Sequence, residues 1–189
     1  MRAFVALRPS ETQRTAIADG VRRLRGDHPE LARQLRFVRT DQLHLTLAFL
    51  ADLASGDVET LLDAARRAAA TSAPFAWRLR GLGGFPRADR ARVVWLDVDV
   101  GRDDVLALGT ALRTELIDAG LPVEDRPFHP HLTLARVRRG TIALPSEAGS
   151  DAPGIDGGEA RTHVVEVVRS DLGEGGARHT TLARWPLGG

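Results

Sequence analysis

The residues best suited to chemistry in this sequence are two histidines, each followed two positions later by a threonine. His44 and Thr46 lie in the tetrapeptide His-Leu-Thr-Leu, and the same tetrapeptide returns 87 positions later with His131 and Thr133. Side chains two positions apart on a strand point to the same face, so each copy places an imidazole beside a hydroxyl. Two imidazoles with pKa values near neutrality suit the roles of general acid and general base without a metal ion.

The duplication itself indicates how the two pairs are positioned. One copy alone predicts no more than a half-buried strand, because alternation of polar and apolar residues is common. Two identical copies favour a duplicated structural unit whose halves share one site where they join. The leucines of each tetrapeptide alternate with the polar pair and are therefore expected to point into a core.

The composition excludes several mechanisms. The 189 residues contain no cysteine, which rules out disulfides, thiolate zinc sites and a cysteine nucleophile. All 26 basic residues are arginine, so a Schiff base, a lysyl-nucleotide intermediate and a lysine-containing phosphate loop are also excluded. The net charge is only +1, so any RNA contact must come from local patches of arginine, which binds phosphate in a bidentate way.

The same composition bounds the size and location of the protein. The length is sufficient for one good core, in one domain or two fused lobes. No run of about 18 apolar residues is present, so we expect no membrane span. The lack of cysteine fits a cytoplasmic protein, and we expect a monomer.

The order of predicted elements favours an α+β fold with mainly antiparallel sheets, because strands outnumber helices and often follow one another directly. Three helices are predicted, the first capped by Ser10: residues 11–24, 57–70 and 103–119. Strands are predicted at residues 4–7, 35–38, 43–50, 75–82, 92–100 and 131–137, with a final hairpin of 161–171 and 178–185. Glycine and proline predict loops at 81–86 and 141–158.

The context of the two motifs resembles one known family. His44 begins the segment His-Leu-Thr-Leu-Ala-Phe-Leu, and His131 lies within Phe-His-Pro-His-Leu-Thr-Leu-Ala-Arg, which ends at Arg136. Together with the first strand and Val93–Leu96, these segments resemble the 2H phosphoesterases, in particular the bacterial and archaeal RNA 2',3'-cyclic phosphodiesterases, also called 2'-5' RNA ligases. The resemblance spans nearly the whole chain. It implies a single domain over residues 1–189, made of two pseudo-twofold-related lobes of mainly antiparallel sheet with helices packed outside and a central cleft.

The resemblance also implies a reaction. It implies hydrolysis of RNA 2',3'-cyclic phosphate ends to 2'-phosphates, with His44 and His131 on opposite sides of phosphorus because attack and departure are in line. We assign His131 as the base and His44 as the acid, although a two-fold arrangement makes these roles nearly interchangeable. Thr46 and Thr133 are expected to hydrogen-bond the non-bridging oxygens, where charge gathers in the transition state. No metal or other cofactor is expected.

Arg136 corresponds to the arginine that ends the second motif in the family, and it is expected to bind the phosphate. Strict alternation would place Arg136 on the Leu132 face, so reaching the phosphate requires a bulge or the end of the strand. Phe85 could stack a base, or it could be a buried anchor of its loop. We interpret His129, which is followed by a proline, as mainly structural.

His179 begins a third His-x-Thr-Leu-x-Arg segment within the final hairpin. The family resemblance assigns nothing to it, and we expect it to have no catalytic role. Two other functions stay open: a non-catalytic nucleotide- or RNA-binding module of the same fold, and a metal hydrolase that uses His44, His129 and His131. The metal hydrolase lacks a carboxylate within the alternation of either motif.

The expected partners are RNAs with 2',3'-cyclic phosphate ends, such as tRNA fragments, or cyclic nucleotides. The same cleft could run the reaction backwards and join a cyclic phosphate end to a 5'-hydroxyl as a 2'-5' linkage. Without lysine there is no covalent nucleotidyl intermediate of the lysyl type, so that ligation would need no ATP.

Overall fold

A computed structural model describes residues 1–124, 126–145, 154–173 and 176–188. The strands within these ranges are β1 (Ala3–Leu7), β2 (Leu35–Phe37), β3 (Leu45–Leu50), β4 (Phe75–Phe85), β5 (Val93–Val100), β6 (His131–Val137), β7 (Asp156–Thr162), β8 (Val164–Gly173) and β9 (Gly176–Pro186). The helices are α1 (Glu11–Asp27), α2 (Pro29–Gln34), α3 (Val58–Ala70) and α4 (Arg102–Asp118).

The strands form one sheet in the order β7-β4-β5-β6-β3-β1-β8-β9, and β2 pairs with β6. Every pairing between named strands in the described ranges is antiparallel. The order has two halves of four strands that meet at β6 and β3, with α1 following β1 in one half and α4 following β5 in the other. The predicted α+β class with antiparallel sheet is therefore confirmed.

The helices pack on one face of the sheet. The main core combines the inward stripe of α1, α3 and α4 with the apolar positions of the central strands, including Leu45 and Leu132, both of which are fully buried. The opposite face carries the polar partners in the alternation, His44, Thr46 and His131. Within the described ranges, no α-helix packs on this face, which leaves it open for a site.

The first helix begins where the sequence predicts. Ser10 accepts a hydrogen bond from the backbone of Gln13, and the Gln13 side chain accepts one from the Ser10 backbone, which forms a capping box. The buried amide of Gln13 also donates to the carbonyls of Trp77 and Gly158. This buried residue therefore ties α1 to β4 and β7 in the other half of the sheet.

Other boundaries differ from the sequence-based prediction. Residues 81–86 are not a loop, because β4 continues to Phe85 by pairing with β5, with a register shift near Gly81. The helix α2 is absent from the sequence-based prediction, and the predicted strand 161–171 includes parts of β7 and β8, which are separate strands. Part of the predicted loop 141–158 belongs to β7, and its residues 146–153 lie outside the described ranges. Among the helices that the structure describes, none is long and apolar enough to cross a membrane.

The turn between β5 and α4 requires a glycine at position 101, because the backbone of β4 lies close to it. Gly101 has φ +73°, and a Cβ there would lie 2.1 Å from the Ala76 carbonyl oxygen; Gly120 has φ +72°, with nothing within 4 Å. Both replacements by alanine incur the left-handed penalty of about 1–2 kcal/mol. We expect Gly101→Ala to lose at least about 2 kcal/mol more of the free energy of unfolding than Gly120→Ala, measured by urea denaturation. Equal losses would contradict the close approach to Ala76.

Candidate active site

The two His-x-Thr motifs meet where β3 pairs with β6. Leu45 lies opposite Leu132 in an antiparallel register. Continuing this register by one residue on each side places His44 opposite Thr133 and Thr46 opposite His131. The four polar side chains therefore share one face of the sheet, which we call the site face, and the leucines share the other. Diagonal neighbours of this kind have Cα atoms about 7–8 Å apart, which leaves room for one phosphate between two imidazoles.

A bulge in β6 brings Arg136 to the site face. Thr133 pairs with Trp95, whereas Arg136 pairs with Val93, so the strand gains one residue at Leu134. Trp95 and Val93 are two positions apart in β5 and point the same way. Arg136 consequently lies on the same face as Thr133, which strict alternation would forbid.

The first motif has a matching bulge at Leu47. Thr46 pairs with Ala6 and Phe49 pairs with Phe4 in β1, so β3 also gains one residue between its two partners. Phe49 is thus the positional counterpart of Arg136, and it too lies on the site face. Instead of supplying a cation, Phe49 receives the guanidinium of Arg2, which lies 5.2 Å from the ring centroid.

Each of the two histidines is oriented by a backbone carbonyl two residues before it. The Nδ1 atom of His44 lies 2.7 Å from the Gln42 oxygen, and the Nδ1 atom of His131 lies 2.7 Å from the His129 oxygen. A carbonyl can only accept, so Nδ1 must carry the hydrogen in both rings. Nε2 of each neutral ring is therefore left as the atom that can accept a proton from a substrate or a water.

The surroundings of His44 are aromatic. Its ring stacks on Phe4 with centroids 4.5 Å apart and an interplanar angle of 19°. His179, from β9, lies nearly at a right angle to it with centroids 5.3 Å apart. The family resemblance gives His179 no role, yet β9 brings this third motif into contact with the first.

The surroundings of His131 differ from those of His44. Phe85 lies nearly perpendicular to His131 with centroids 4.9 Å apart, and Trp95 lies 6.0 Å away. The ring of His129 packs against Trp95 at 5.0 Å, while its carbonyl orients His131. Asp97 lies opposite His131 in β5 and brings a carboxylate to this half of the site. Phe85 thus borders the second motif and is half-buried.

Burial is the main influence on the protonation of both rings. It lowers the pKa of His44 to about 4, with further lowering by His179, Arg8 and His131 against the opposing hydrogen bond to Gln42. Burial also lowers the pKa of His131, and the His129 ring lowers it further, whereas the hydrogen bond to the His129 carbonyl and the carboxylate of Asp97 raise it. The protonated form is therefore disfavoured in both rings, and among the described residues a carboxylate favours protonation only in His131.

The arginines around the site fall into two groups. Arg136 is exposed and has no ion pair within the part of the chain that the structure describes. Arg8 and Arg184 instead donate to the two carboxylate oxygens of Glu166, at 3.0 and 2.8 Å, and Glu166 is only 8% exposed. The guanidinium of Arg136 is therefore available to bind an anion, whereas those of Arg8 and Arg184 already bind the buried carboxylate of Glu166.

The metal-site alternative is not supported by the arrangement of the side chains. In residues 1–124, 126–145, 154–173 and 176–188, no group of three or more histidines and carboxylates is placed to hold a metal ion. His44 and His131 also use Nδ1 for backbone carbonyls. Each ring has only Nε2 left for any other contact.

Comparison with known proteins agrees with the motifs. The family model described as LigT like phosphoesterase matches residues 13–95 and 96–168, so that one match covers each copy of the motif. The chain belongs to this family. The resemblance to the 2H phosphoesterases that the sequence predicts is thereby confirmed.

Relatives of this LigT-like phosphoesterase carry a common name. A protein of Thermus thermophilus named RNA 2',3'-cyclic phosphodiesterase is 33% identical over 198 residues, covering 100% of this chain and 91% of the relative. One of the same name from Geobacillus stearothermophilus is 30% identical over 188 residues, 97% of this chain. The chain covers 56% of that relative's length.

Solved structures agree with the fold of this LigT-like phosphoesterase. The crystal structure of TT0787 of Thermus thermophilus superposes with a TM-score of 0.81 at 31% identity, covering 100% of this chain and 99% of that one. Escherichia coli LigT complexed with 3'-AMP superposes with a TM-score of 0.75 at 29% identity, covering 98% and 97% of the two chains. The fold therefore matches over essentially its whole length.

The burial of the two histidines in this LigT-like phosphoesterase predicts a lowered pKa for both. We expect the pKa of His44 to lie near 4 and the pKa of His131 to lie below its usual value. Both rings should therefore be neutral at pH 7, and His44 should stay neutral as the pH falls through about 5. Proton–carbon NMR of the histidine Cε1 positions, assigned with single alanine variants, measures both values. A His44 pKa at or above the usual value of about 6.5 would contradict the burial of this ring.

Proposed function

We propose that this protein is an RNA 2',3'-cyclic phosphodiesterase that opens 2',3'-cyclic phosphate ends to 2'-phosphates without a metal ion. The observation that carries the proposal is the pair of imidazoles, each fixed through Nδ1 with Nε2 left open, diagonally placed across the Leu45–Leu132 pair. The shared name of the relatives supports the substrate, and the 3'-AMP bound to Escherichia coli LigT supports a nucleotide in the cleft.

The reaction is an in-line displacement at phosphorus. A water oxygen attacks phosphorus while one neutral Nε2 takes its proton. The bond between phosphorus and the ribose 3'-oxygen breaks, and an Nε2–H on the opposite side donates its proton to that oxygen. The products are a 2'-phosphate monoester and a 3'-hydroxyl. One bound pose gives one product, because only one ribose oxygen lies opposite the attacking water.

In this proposal the base is His44 and the acid is His131, the reverse of the assignment made from sequence. His44 is enclosed by Phe4 and His179, and its burial together with His179 and Arg8 opposes its protonation. The ring of His131 lies near the carboxylate of Asp97. A bound phosphate raises the pKa of both rings, and the ring near the carboxylate is the one better placed to hold the proton.

The remaining site residues bind the phosphate and the base. Thr46 and Thr133 share the site face with the two imidazoles, so their hydroxyls are placed for the non-bridging oxygens. Arg136 reaches that face through the bulge at Leu134 and supplies a positive charge. Phe85, beside His131, offers an aromatic ring on which a base can stack.

The proposal extends to the form of the protein and its partners. We infer a single domain over residues 1–189, supported by a sheet that continues through both halves of the described chain, and a monomer. The substrates are RNAs with 2',3'-cyclic phosphate ends, such as tRNA fragments, or cyclic nucleotides. A 5'-hydroxyl that takes the place of the water can attack the same phosphorus while the bond to the 3'-oxygen breaks, so the same cleft is expected to join such an end to a 5'-hydroxyl as a 2'-5' linkage without ATP.

The competing function is a non-catalytic module of the same fold that binds nucleotides or RNA. Such a module would need the arginine and the aromatic residues of the site but not two histidines fixed for proton transfer. Turnover therefore separates the two functions. Binding of a cyclic-phosphate oligonucleotide without any cleavage of the ring would support the module and contradict the enzyme.

The direct test is incubation with an oligonucleotide that ends in a 2',3'-cyclic phosphate, with and without excess EDTA. We expect equal rates in both and a 2'-phosphate as the product, identified by phosphorus NMR. His44→Ala and His131→Ala should each abolish turnover and keep the fold, and Thr46→Ala and Thr133→Ala should each slow it by about 10- to 1000-fold. His163→Ala, at an exposed position between β7 and β8, is the matched control.

Several results would count against this mechanism. Activity restored only by zinc or manganese would show that a metal is needed. A 3'-phosphate, or a mixture of both isomers, would mean that the substrate is held the other way round or in more than one pose. An active His44→Ala enzyme would remove the proton transfer on which the mechanism rests.

The role of Arg136 has its own test, because its position depends on the bulge. Arg136→Ala should raise KM and lower kcat/KM by about 10- to 1000-fold, since a charged contact to the phosphate is lost. Arg136→Lys should restore only part of this, because an ammonium does not bind two oxygens in a fixed plane. Arg139→Ala, an exposed arginine just past β6, is the control. Unchanged kinetics in Arg136→Ala would show that this side chain is merely solvated.

A further inference from the structure

The hairpin of β8 and β9 bends back across the site face. By register alone, His179 lies opposite Ser170, and the Ser170 backbone donates to the Arg2 carbonyl at the beginning of β1, whereas His44 lies near the other end of β1. Yet the Gln42 side chain donates to the Ala177 carbonyl at 3.3 Å. The far end of the hairpin therefore returns to the segment just before His44.

This bend completes a cluster of three rings. The centroids of Phe4, His44 and His179 form a triangle with sides of 4.5, 5.0 and 5.3 Å. Phe4 stacks on His44, and His179 stands nearly perpendicular to both. Two aromatic contacts and the Gln42 carbonyl thus restrict the His44 ring, so its Nε2 is aimed by packing as well as by the hydrogen bond.

The threonine and the arginine of the third motif bind a carboxylate of the protein. Thr181 and Arg184, the counterparts of Thr133 and Arg136, both contact the carboxylate of Glu166, at 3.4 and 2.8 Å. The strand even has the matching extra residue, at Leu182. In the third motif, the threonine and the arginine therefore bind the carboxylate of Glu166 instead of an external anion. His179 is the polar side chain of this motif that faces the first motif.

His179 also lacks the hydrogen bond that fixes the other two histidines. Its Nδ1 atom is buried and has no hydrogen-bond partner within the described residues, whereas Nδ1 of His44 has the Gln42 carbonyl. A buried unpaired polar atom costs about 1–3 kcal/mol, and such atoms are rare in native structures. Packing against His44 is the interaction that His179 does have.

We propose that His179 is a positioning residue for His44: its ring closes one side of the His44 ring, holds it against Phe4 and keeps water away. This inference rests on the proposed role of His44 as the base. The charged and titratable groups around His44 are His179, Arg8 and His131, and Arg8 is itself paired with Glu166. His179 acts through its ring contact and touches neither the phosphate nor the attacking water.

Two replacements separate ring packing from ring chemistry. His179→Ala should open His44 to water, so the pKa of His44, measured by NMR without substrate, should rise from about 4 toward about 6.5. The acid limb of the pH–rate profile should move the same way, and kcat should fall about tenfold with KM little changed. His179→Phe keeps a ring of similar shape and should retain most of the low pKa and the rate. His163→Ala should change neither.

Each outcome decides for or against the proposal. An unchanged pKa of His44 and unchanged kcat in His179→Ala would overturn it. So would a His179→Phe enzyme as impaired as His179→Ala, because the ring nitrogens rather than packing would then matter. The proposed function fails separately, by activity that survives His44→Ala, and the NMR titration needs no activity at all.

Discussion

The site depends on the pairing of Leu45 with Leu132 between β3 and β6. This contact joins the two halves of the sheet, and the antiparallel direction of the strands relates the two motifs by a local two-fold axis. Both leucines are fully buried on the helix side, where burial of each side chain stabilises the fold by about 2–3 kcal/mol. The core therefore fixes the register, and the register places two imidazoles and two hydroxyls on the other face. A slip of one residue by either strand would turn the histidine and the threonine of that strand into the core.

Two local devices refine this arrangement. A carbonyl two residues upstream fixes the tautomer of each histidine, and an extra residue at the second leucine of each motif returns the next polar position to the site face. The two motifs thus share the same local geometry, but the residues around the two histidines differ. Aromatic rings lie beside both histidines, but an arginine lies near His44, whereas a carboxylate lies near His131. Symmetric strands with asymmetric neighbours can give two similar histidines different roles in proton transfer.

Much of this could be predicted from the sequence, because alternation along a strand is a local property. The sharing of one face by His44 and Thr46, the burial of the leucines and the α+β class follow from periodicity and from the order of elements. The family resemblance required either a bulge or the end of the strand to bring Arg136 to the phosphate, but the bulge at Leu134 could not be located from the sequence, since an extra residue is defined by the partner strand. Strict alternation therefore placed Arg136 on the wrong face.

His179 shows a second limit of sequence reasoning. Its motif was visible, but its contact with His44 depends on a hairpin that bends back over a distant strand, and no local pattern encodes that path. Likewise, Phe4 was expected only as part of a first strand, and its stacking on His44 is a tertiary contact. The three-fold occurrence of His-x-Thr-Leu-Ala was the available signal, but the family resemblance gave the third segment no role.

The most direct test of the central claim is a crystal structure of the protein with a bound nucleoside 2'-monophosphate, the proposed product. The account predicts a phosphate between the Nε2 atoms of His44 and His131, each within hydrogen-bond distance, with the Thr46 and Thr133 hydroxyls on its oxygens and Arg136 beside it. A phosphate held elsewhere, or one that contacts the two histidines through Nδ1, would contradict the account.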